Sequence, residues 1–178
     1  ENAADCSRNW DLELLSKFTE RKSYFIDTLI DIKEIPEEKH FCGTAIYRKR
    51  INISDTTNVI LNLGNVVGVS ELFVNGDSVG TKWYGERIWD ISPFVKKGEN
   101  NLEIRVTTTM GNYLKSLTDN KVAMYWVNRK GREQAYEPQG ILGPITLTGL
   151  TTRKQFLATD FGLVGDSITL NTRMLQRA

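Results

Sequence analysis

The stretch Val74-Asn75-Gly76-Asp77-Ser78-Val79-Gly80 decides the fold of this chain. Its Asn-Gly pair readily adopts the positive φ angles that a two-residue hairpin turn requires. Apolar-rich runs flank the pair, at 69–74 upstream and at 78–83 downstream. The two runs are therefore predicted to be neighbouring antiparallel strands.

Strand patterns recur along the chain on both sides of this hairpin. Alternating or continuous apolar runs predict strands at 10–14, 45–53, 59–63, 88–91, 100–106, 122–127 and 145–150. Residues 23–35 fit either a helix or a meandering loop, residues 107–120 have no periodicity, and 138–144 is a loop punctuated by glycine and proline. Many short strands with little helix predict an all-β antiparallel sandwich or barrel.

Length and composition fit one globular domain. The 178 residues can bury a sizeable core, which we assign to 41–150, with 151–178 as an extension that includes a weak strand pattern at 167–171. The net charge of +1, from 23 basic and 22 acidic residues, argues against a nucleic-acid-binding protein. No run is long and apolar enough for a membrane span, and no signal peptide is visible at Glu1, so an export signal would have been removed or would lie outside this sequence.

The residue types that carry catalysis or bind metals are sparse. Cys6 and Cys42 allow either one disulfide or two free thiols, of which we favour two buried thiols. His40 is the only histidine and is expected at the surface near a turn, with no nucleophile motif to serve. Glu86 and Asp90 are the nearest candidates for a glycosidase carboxylate pair, but Asp90 fits a turn-capping role. We therefore predict no catalytic residue, no metal site and no cofactor.

Six motifs, in this order, resemble the sugar-binding jelly roll of family 2 glycoside hydrolases. They are 41–49 (FCGTAIYRK), 61–64 (LNLG), 74–80 (VNGDSVG), 90–95 (DISPFV), 98–106 (GENNLEIRV) and 140–145 (GILGPI). The last motif is even more similar to the C-terminal domain of large bacterial rhamnosidase-like enzymes. Cys42 departs from the small hydroxyl residue that is usual at its position, and the insertion at 115–137 has no counterpart that we can align.

The resemblance implies a galactose-binding-like β-sandwich that serves as a non-catalytic accessory domain. Its partners would be carbohydrate and the catalytic domain of the same polypeptide, in a periplasmic or extracellular enzyme. Such modules often carry a structural calcium, but no loop here is rich enough in aspartate to argue for one. Two alternatives stay open: a purely structural domain packed against a catalytic barrel, and a free-standing carbohydrate-binding module.

Strand parity predicts where a ligand would bind. Antiparallel strands reverse direction, so the loops 34–44, 64–68, 83–87 and 107–120 should share one end of the sandwich, which we call the loop end. The tight turns 54–58, 75–77 and 92–98 should share the opposite, turn end. If 122–136 is an added hairpin, 137–143 also returns to the loop end. Rings that stack on sugars and polar groups that read hydroxyls are predicted to be Trp83, Tyr84, Arg87, Asn112 and Tyr113.

The tryptophans and tyrosines have a competing structural interpretation. Trp89 is expected to be a core residue, whereas for Trp83 and Tyr84 burial at a sheet edge and sugar contact are equally compatible with the sequence. An exposed aromatic cluster at the loop end would favour binding. A wide apolar patch on a sheet face would favour packing against another domain.

Overall fold

The computed structural model describes residues 3–128 and 134–149, which form a β-sandwich. The predicted extension at 151–178, with its strand pattern at 167–171, lies outside the described residues. The strands are β1 (Ala3–Asp5), β2 (Arg8–Leu15), β3 (Lys22–Thr28), β4 (Thr44–Ile53), β5 (Val59–Asn62), β6 (Asn65–Val67), β7 (Val69–Val74), β8 (Asp77–Lys82), β9 (Ile88–Asp90), β10 (Gly98–Thr107), β11 (Gly140–Gly143) and β12 (Thr146–Gly149).

Two antiparallel sheets make up the layers of the sandwich. The larger has the order β3-β2-β4-β10-β7-β8 and the smaller β1-β12-β5-β9, while β6 and β11 form a separate pair. The predicted hairpin is confirmed: β7 pairs with β8 antiparallel, and Asn75 and Gly76 have φ of 54° and 92°. The all-β sandwich predicted from the strand patterns is therefore the observed architecture.

The core lies between the sheets and follows the period-two alternation of the strands. Leu12, Tyr47, Ile104 and Leu72 form one register row across four strands of the larger sheet, and each is at most 1% exposed. From the smaller sheet Leu61 and Trp89 pack into the same core, as do many further apolar side chains. The assignment of Trp89 to the core is confirmed.

The region 23–35 is neither a helix nor a meandering loop. Residues Lys22–Thr28 form strand β3 at the edge of the larger sheet, followed by a 3₁₀ turn at Ile32–Glu34. Tyr24 and Ile26 lie opposite Leu12 and Trp10 of β2 and alternate with exposed neighbours. The alternation is short, and pairing with β2 is what makes this segment a strand.

The strand predicted at 122–127 is wrong, because residues Lys121–Val127 form helix α2. Asn120 caps it, its side chain accepting from the backbone N–H groups of Val122 and Ala123 at 3.0 Å. A short helix α1 (Gly111–Leu114) precedes it. The added hairpin at 122–136 therefore does not form, and the loop at 138–144 contributes strand β11. Within the described ranges no helix is long and apolar enough to cross a membrane.

Candidate functional site

The predicted loop end exists. Register pairs join the strand termini there: Thr44 lies opposite Thr107, Thr107 opposite Val69, and Ser70 opposite Lys82. The loops also bond to one another, since the N–H of Gly43 donates to Thr108 Oγ1 at 3.1 Å. Strand parity alone thus predicts correctly which loops gather at this end.

Trp83 and Tyr84 follow β8 and project into solvent at the loop end. Trp83 is 76% exposed and Tyr84 83% exposed, which excludes the alternative that Trp83 is buried in the sandwich. Their ring centroids are 6.1 Å apart and the planes are inclined by 47°. Two adjacent open ring faces are a surface on which the C–H face of a sugar can stack.

Arg87 ends the same loop and is only 5% exposed. Its Nη1 donates to the carbonyl of Gly85 at 2.8 Å, and its Nη2 donates to the carbonyl of Gly68 at 3.2 Å. Lys82 closes the base of the same loop by donating to the carbonyls of Glu86 and Ile88. The side chains of Lys82 and Arg87 therefore hold the loop 83–87 in place by hydrogen bonds to backbone carbonyls.

Asn112 and Tyr113 belong to a second surface. Asn112 is 1% exposed and exchanges two hydrogen bonds with the backbone of Glu137, at 2.8 and 2.9 Å. Tyr113 stacks on Phe18 of the β2–β3 connection, with centroids 4.2 Å apart and planes inclined by 16°. Asn112 thus links α1 to the end of the insertion, and Tyr113 lies beside the β2–β3 connection.

The predicted site residues therefore divide into two groups. Trp83, Tyr84 and Arg87 follow β8, whereas Tyr113 stacks on Phe18 just beyond β2, and Asn112 is its neighbour in α1. Four inter-strand steps separate β2 from β8 in the larger sheet, or about 19 Å at roughly 4.8 Å a step. One monosaccharide does not span that distance.

Sequence reasoning missed the outward side chains near the second surface. Val122, Tyr125 and Trp126 of α2 are 69%, 67% and 54% exposed, and Phe18 is 49% exposed. Val122, Tyr125 and Trp126 have the i, i+3, i+4 spacing of one helix face, and the capping residue Asn120 lies two positions before Val122. This pattern was the signal available in the sequence. We call the group Phe18, Met110, Tyr113, Val122, Tyr125 and Trp126 the helical cap.

The two candidate carboxylates, Glu86 and Asp90, have different surroundings. Glu86 is exposed at the loop end, and Asp90 lies at the far end of β9. Asp90 accepts from Ser92 Oγ at 2.6 Å and from the Ser92 N–H at 2.9 Å, and these bonds lower the pKa of Asp90. The two hydrogen bonds show that Asp90 caps the turn that follows β9.

His40 is partly buried, and both cysteines are buried. His40 shares a 2.8 Å hydrogen bond with the Tyr136 hydroxyl. Cys6 and Cys42 are free and buried, and burial raises the pKa of both thiols. The preference for two buried thiols over a disulfide is confirmed. Across residues 3–128 and 134–149, no three His, Cys, Asp or Glu side chains are grouped as metal ligands.

Comparison with known proteins relates the chain to glycoside hydrolases, although no family model matches it. A Formosa agariphila protein named "Putative beta-glucuronidase" is 32% identical over 140 residues, which are 75% of this chain and 12% of that protein. The solved rhamnosidase of Novosphingobium sp. PP1Y matches with a TM-score of 0.67 at 25% identity, over 81% of this chain and 14% of that one. The β-D-glucuronidase of Dictyoglomus thermophilum matches with a TM-score of 0.53 at 26% identity, over 61% and 20%. The chain is thus similar to a small part of much longer glycoside hydrolases.

Proposed function

We propose that this chain is a non-catalytic accessory domain of a glycoside hydrolase of the family 2 type, and that it contacts carbohydrate through Trp83 and Tyr84. The observation that carries the proposal is the exposure of these two rings, 76% and 83%, on a loop whose backbone is held in place. Exposed aromatic rings on an ordered loop are costly for a domain that meets only water, and they are what sugar stacking requires.

Arg87 takes a different role in this proposal from the one that its residue type first indicated. Both of its terminal nitrogens are used on the carbonyls of Gly85 and Gly68, so it positions the aromatic loop. The exposed carboxylate of Glu86 and the hydroxyl of the exposed Tyr84 are polar groups of the loop that can bond to a sugar hydroxyl. Tyr113 belongs to the helical cap, and the buried Asn112 bonds to the backbone of Glu137, so neither is assigned to this sugar contact.

The outer face of the larger sheet favours binding at the loop end over packing through a sheet face. Arg48 bridges Glu13 and Glu103 at 2.6 and 2.7 Å, and Arg105 pairs with Glu103 at 2.6 Å. This network covers the face with paired charges, whereas a packing face would be broad and apolar. Export to the periplasm or the extracellular space remains a prediction that follows from the family resemblance.

The test is a glycan titration of the wild type, of Trp83→Ala and of the matched control Phe25→Ala. Phe25 is 65% exposed on edge strand β3, away from the aromatic loop. Uronic-acid- and rhamnose-containing oligosaccharides are suitable probes, because the similar enzymes are named for such sugars. We expect binding at about millimolar Kd, or ~4 kcal/mol, because a single sugar buries little area.

Trp83→Ala should abolish this binding with an unchanged thermal midpoint, and Phe25→Ala should leave both unchanged. The same preparations should release no aryl alcohol from aryl glycosides. Wild-type protein that binds none of the oligosaccharides, or binding that survives Trp83→Ala, would overturn the carbohydrate contact. Turnover that is lost on substitution of Glu86 or Asp90 would overturn the accessory role.

A further inference from the structure

Helix α2 carries apolar side chains on two faces, one buried and one exposed. Ala123 and Val127, one turn apart, are 4% and 7% exposed and pack against the domain. Val122, Tyr125 and Trp126 lie on the solvent side of the helix, and all three are more than half exposed. A surface helix of a self-contained domain has one apolar stripe, so the second stripe of α2 is not explained by this domain's own packing.

The outward stripe is held in place from both ends of the helix. The Asn120 cap fixes the first turn, and the carbonyl of Val127 accepts from the N–H of Gln134 at 3.3 Å. Gln134 Nε2 also donates to the carbonyl of Trp126 at 3.3 Å. The Tyr125 and Trp126 rings meet edge to face with centroids 5.9 Å apart. The stripe is therefore presented in a defined geometry, as a docking surface requires.

A small hollow beside Trp126 adds shape to this surface. It has a volume of about 220 Å³ and lies between α1 and α2. Its lining is formed by Gly111, Leu114, Lys115, Trp126, Val127 and Gln134. A second hollow of about 390 Å³ lies beside Phe18, between the ends of β2, β4 and β10. A ridge of rings flanked by hollows fits the uneven surface of a folded partner.

The size of the stripe argues for a tethered partner. Seven helical residues extend about 10 Å, whereas a stable dimer of separate chains buries about 800 Å² on each partner. Domains on one polypeptide associate through small surfaces because the linker holds them at about millimolar effective concentration. The chain spans 12% of the similar Formosa agariphila protein and 14% of the similar rhamnosidase, so proteins of this kind carry most of their length in other domains.

We infer that the helical cap docks onto an apolar surface of another domain of the same polypeptide. This inference rests on the accessory-domain part of the proposed function and is independent of any sugar contact. Under this inference the helical cap and the aromatic loop 83–87 have different roles. The cap fixes the domain in the enzyme, and the loop 83–87 stays open to ligand.

Hydroxyl-radical footprinting tests the docking directly. The modification rates of Tyr125 and Trp126 are compared between this 178-residue chain and the whole polypeptide translated from its reading frame. We expect the rates to fall about fivefold in the whole polypeptide, as the exposed fractions drop to core-like values. Phe25, Trp83 and Tyr84 are internal controls whose rates should stay the same.

Equal rates for Tyr125 and Trp126 in both polypeptides would overturn the inference. A native polypeptide that has no residues beyond these 178 would overturn it as well. Protection that is already present in the 178-residue chain would identify a second copy, or this chain's own residues beyond 149, as the occupant, and would likewise overturn it.

A pair of variants then separates docking from folding. Val122→Lys and Trp126→Lys should leave the thermal midpoint of the 178-residue chain unchanged, because both side chains point into solvent. In the whole polypeptide each should speed protease cleavage between this domain and its neighbour about tenfold, the equivalent of a small lost interface. Phe25→Lys is the matched control with no effect. Wild-type glycan titration is scored separately, so failure of the sugar contact and failure of docking are distinguishable.

Discussion

The two ends of the sandwich use their side chains in opposite ways. At the turn end, polar side chains form hydrogen bonds within the domain. Asn100 is fully buried and forms hydrogen bonds with Asn75, Lys96 and Gly98. At the loop end, large apolar side chains face water. Nine of them lie at or beside it, namely Leu15, Phe18, Val69, Trp83, Tyr84, Met110, Val122, Tyr125 and Trp126.

This difference between the two ends distinguishes residues that stabilise the fold from residues whose side chains are exposed to solvent. The satisfied polar network of the turn end is explained by folding alone, because each buried donor and acceptor has a partner. Exposed rings on bonded loops add little to folding, and the ligand contact and the docking proposed above would each give them a role. Substitutions at the turn end should therefore change stability, and those at the loop end should change mainly binding.

Asn100→Ala should have the largest effect on stability. Asn100 Oδ1 accepts from Asn75 Nδ2 and from the Lys96 N–H, both at 2.8 Å, and its Nδ2 donates to the carbonyls of Lys96 and Gly98. Alanine leaves these groups without partners in a buried site, which should cost about 3 kcal/mol of the free energy of unfolding. Urea denaturation followed by circular dichroism measures the loss.

Asn101→Ala is the matched control for this substitution. Asn101 is exposed, and its contacts with Asn75 use its backbone N–H and carbonyl. The free energy of unfolding should change by less than about 0.5 kcal/mol. Similar losses at the two positions would mean that the turn end is not organised by the Asn100 side chain.

Arg87→Met should have a smaller effect at the loop end. It removes the hydrogen bonds to Gly85 and Gly68, but it also removes a buried cation that has no carboxylate within ion-pair distance among the described residues. These contributions partly offset, and we expect a net loss of about 1 kcal/mol. Denaturant melts measure the loss, and faster amide hydrogen exchange confined to 83–87 should accompany it.

Glu86→Ala is the control inside the same loop. Its side chain is exposed, so stability and the exchange rates of 83–87 should stay within error. If Arg87→Met destabilises the protein as much as Asn100→Ala does, the contrast between the turn end and the loop end is wrong.

Local chemistry explains which features the sequence predicts. Asn75-Gly76 determines its turn within four residues, and alternation assigns Ala45, Tyr47, Ile51 and Ile53 to one buried face, as observed. Helix α2 was mistaken for a strand because its outward face is also apolar, which hides the helical period. Asn120, a residue type that favours the N-cap position, was the signal in the sequence that a helix begins there.

The lateral arrangement could not be predicted from the sequence. Strand parity tells which loops share an end, but the distance between 83–87 and 107–120 depends on the order β3-β2-β4-β10-β7-β8. That order is fixed by pairing between residues far apart in the chain, such as Thr44 with Thr107. A single site was therefore predicted where the chain builds two surfaces.

The smallest effect we predict is a pH dependence confined to the loop end. His40 is the only histidine, and its ring packs edge-on against Tyr136. Burial lowers the pKa of His40, and the neighbouring cations of Lys39 and Lys115 lower it further. The folded state therefore favours neutral imidazole, and the unfolded chain takes up a proton first as the pH falls below about 6.5.

Stability should accordingly be complete above pH 6.5 and decline as the pH falls through that value towards the lowered pKa of the folded state. Carboxylates with lowered pKa, such as Asp90 at the turn end, lose their contribution only at more acidic pH. Urea melts at pH 7.5 and 5.5 should show the decline in the wild type and not in His40→Gln, which keeps a hydrogen-bonding side chain for Tyr136. Imidazole NMR shifts should titrate below pH 6.5 in the native protein. A rise in stability on acidification, or the same decline in His40→Gln, would mean that His40 is not the group responsible.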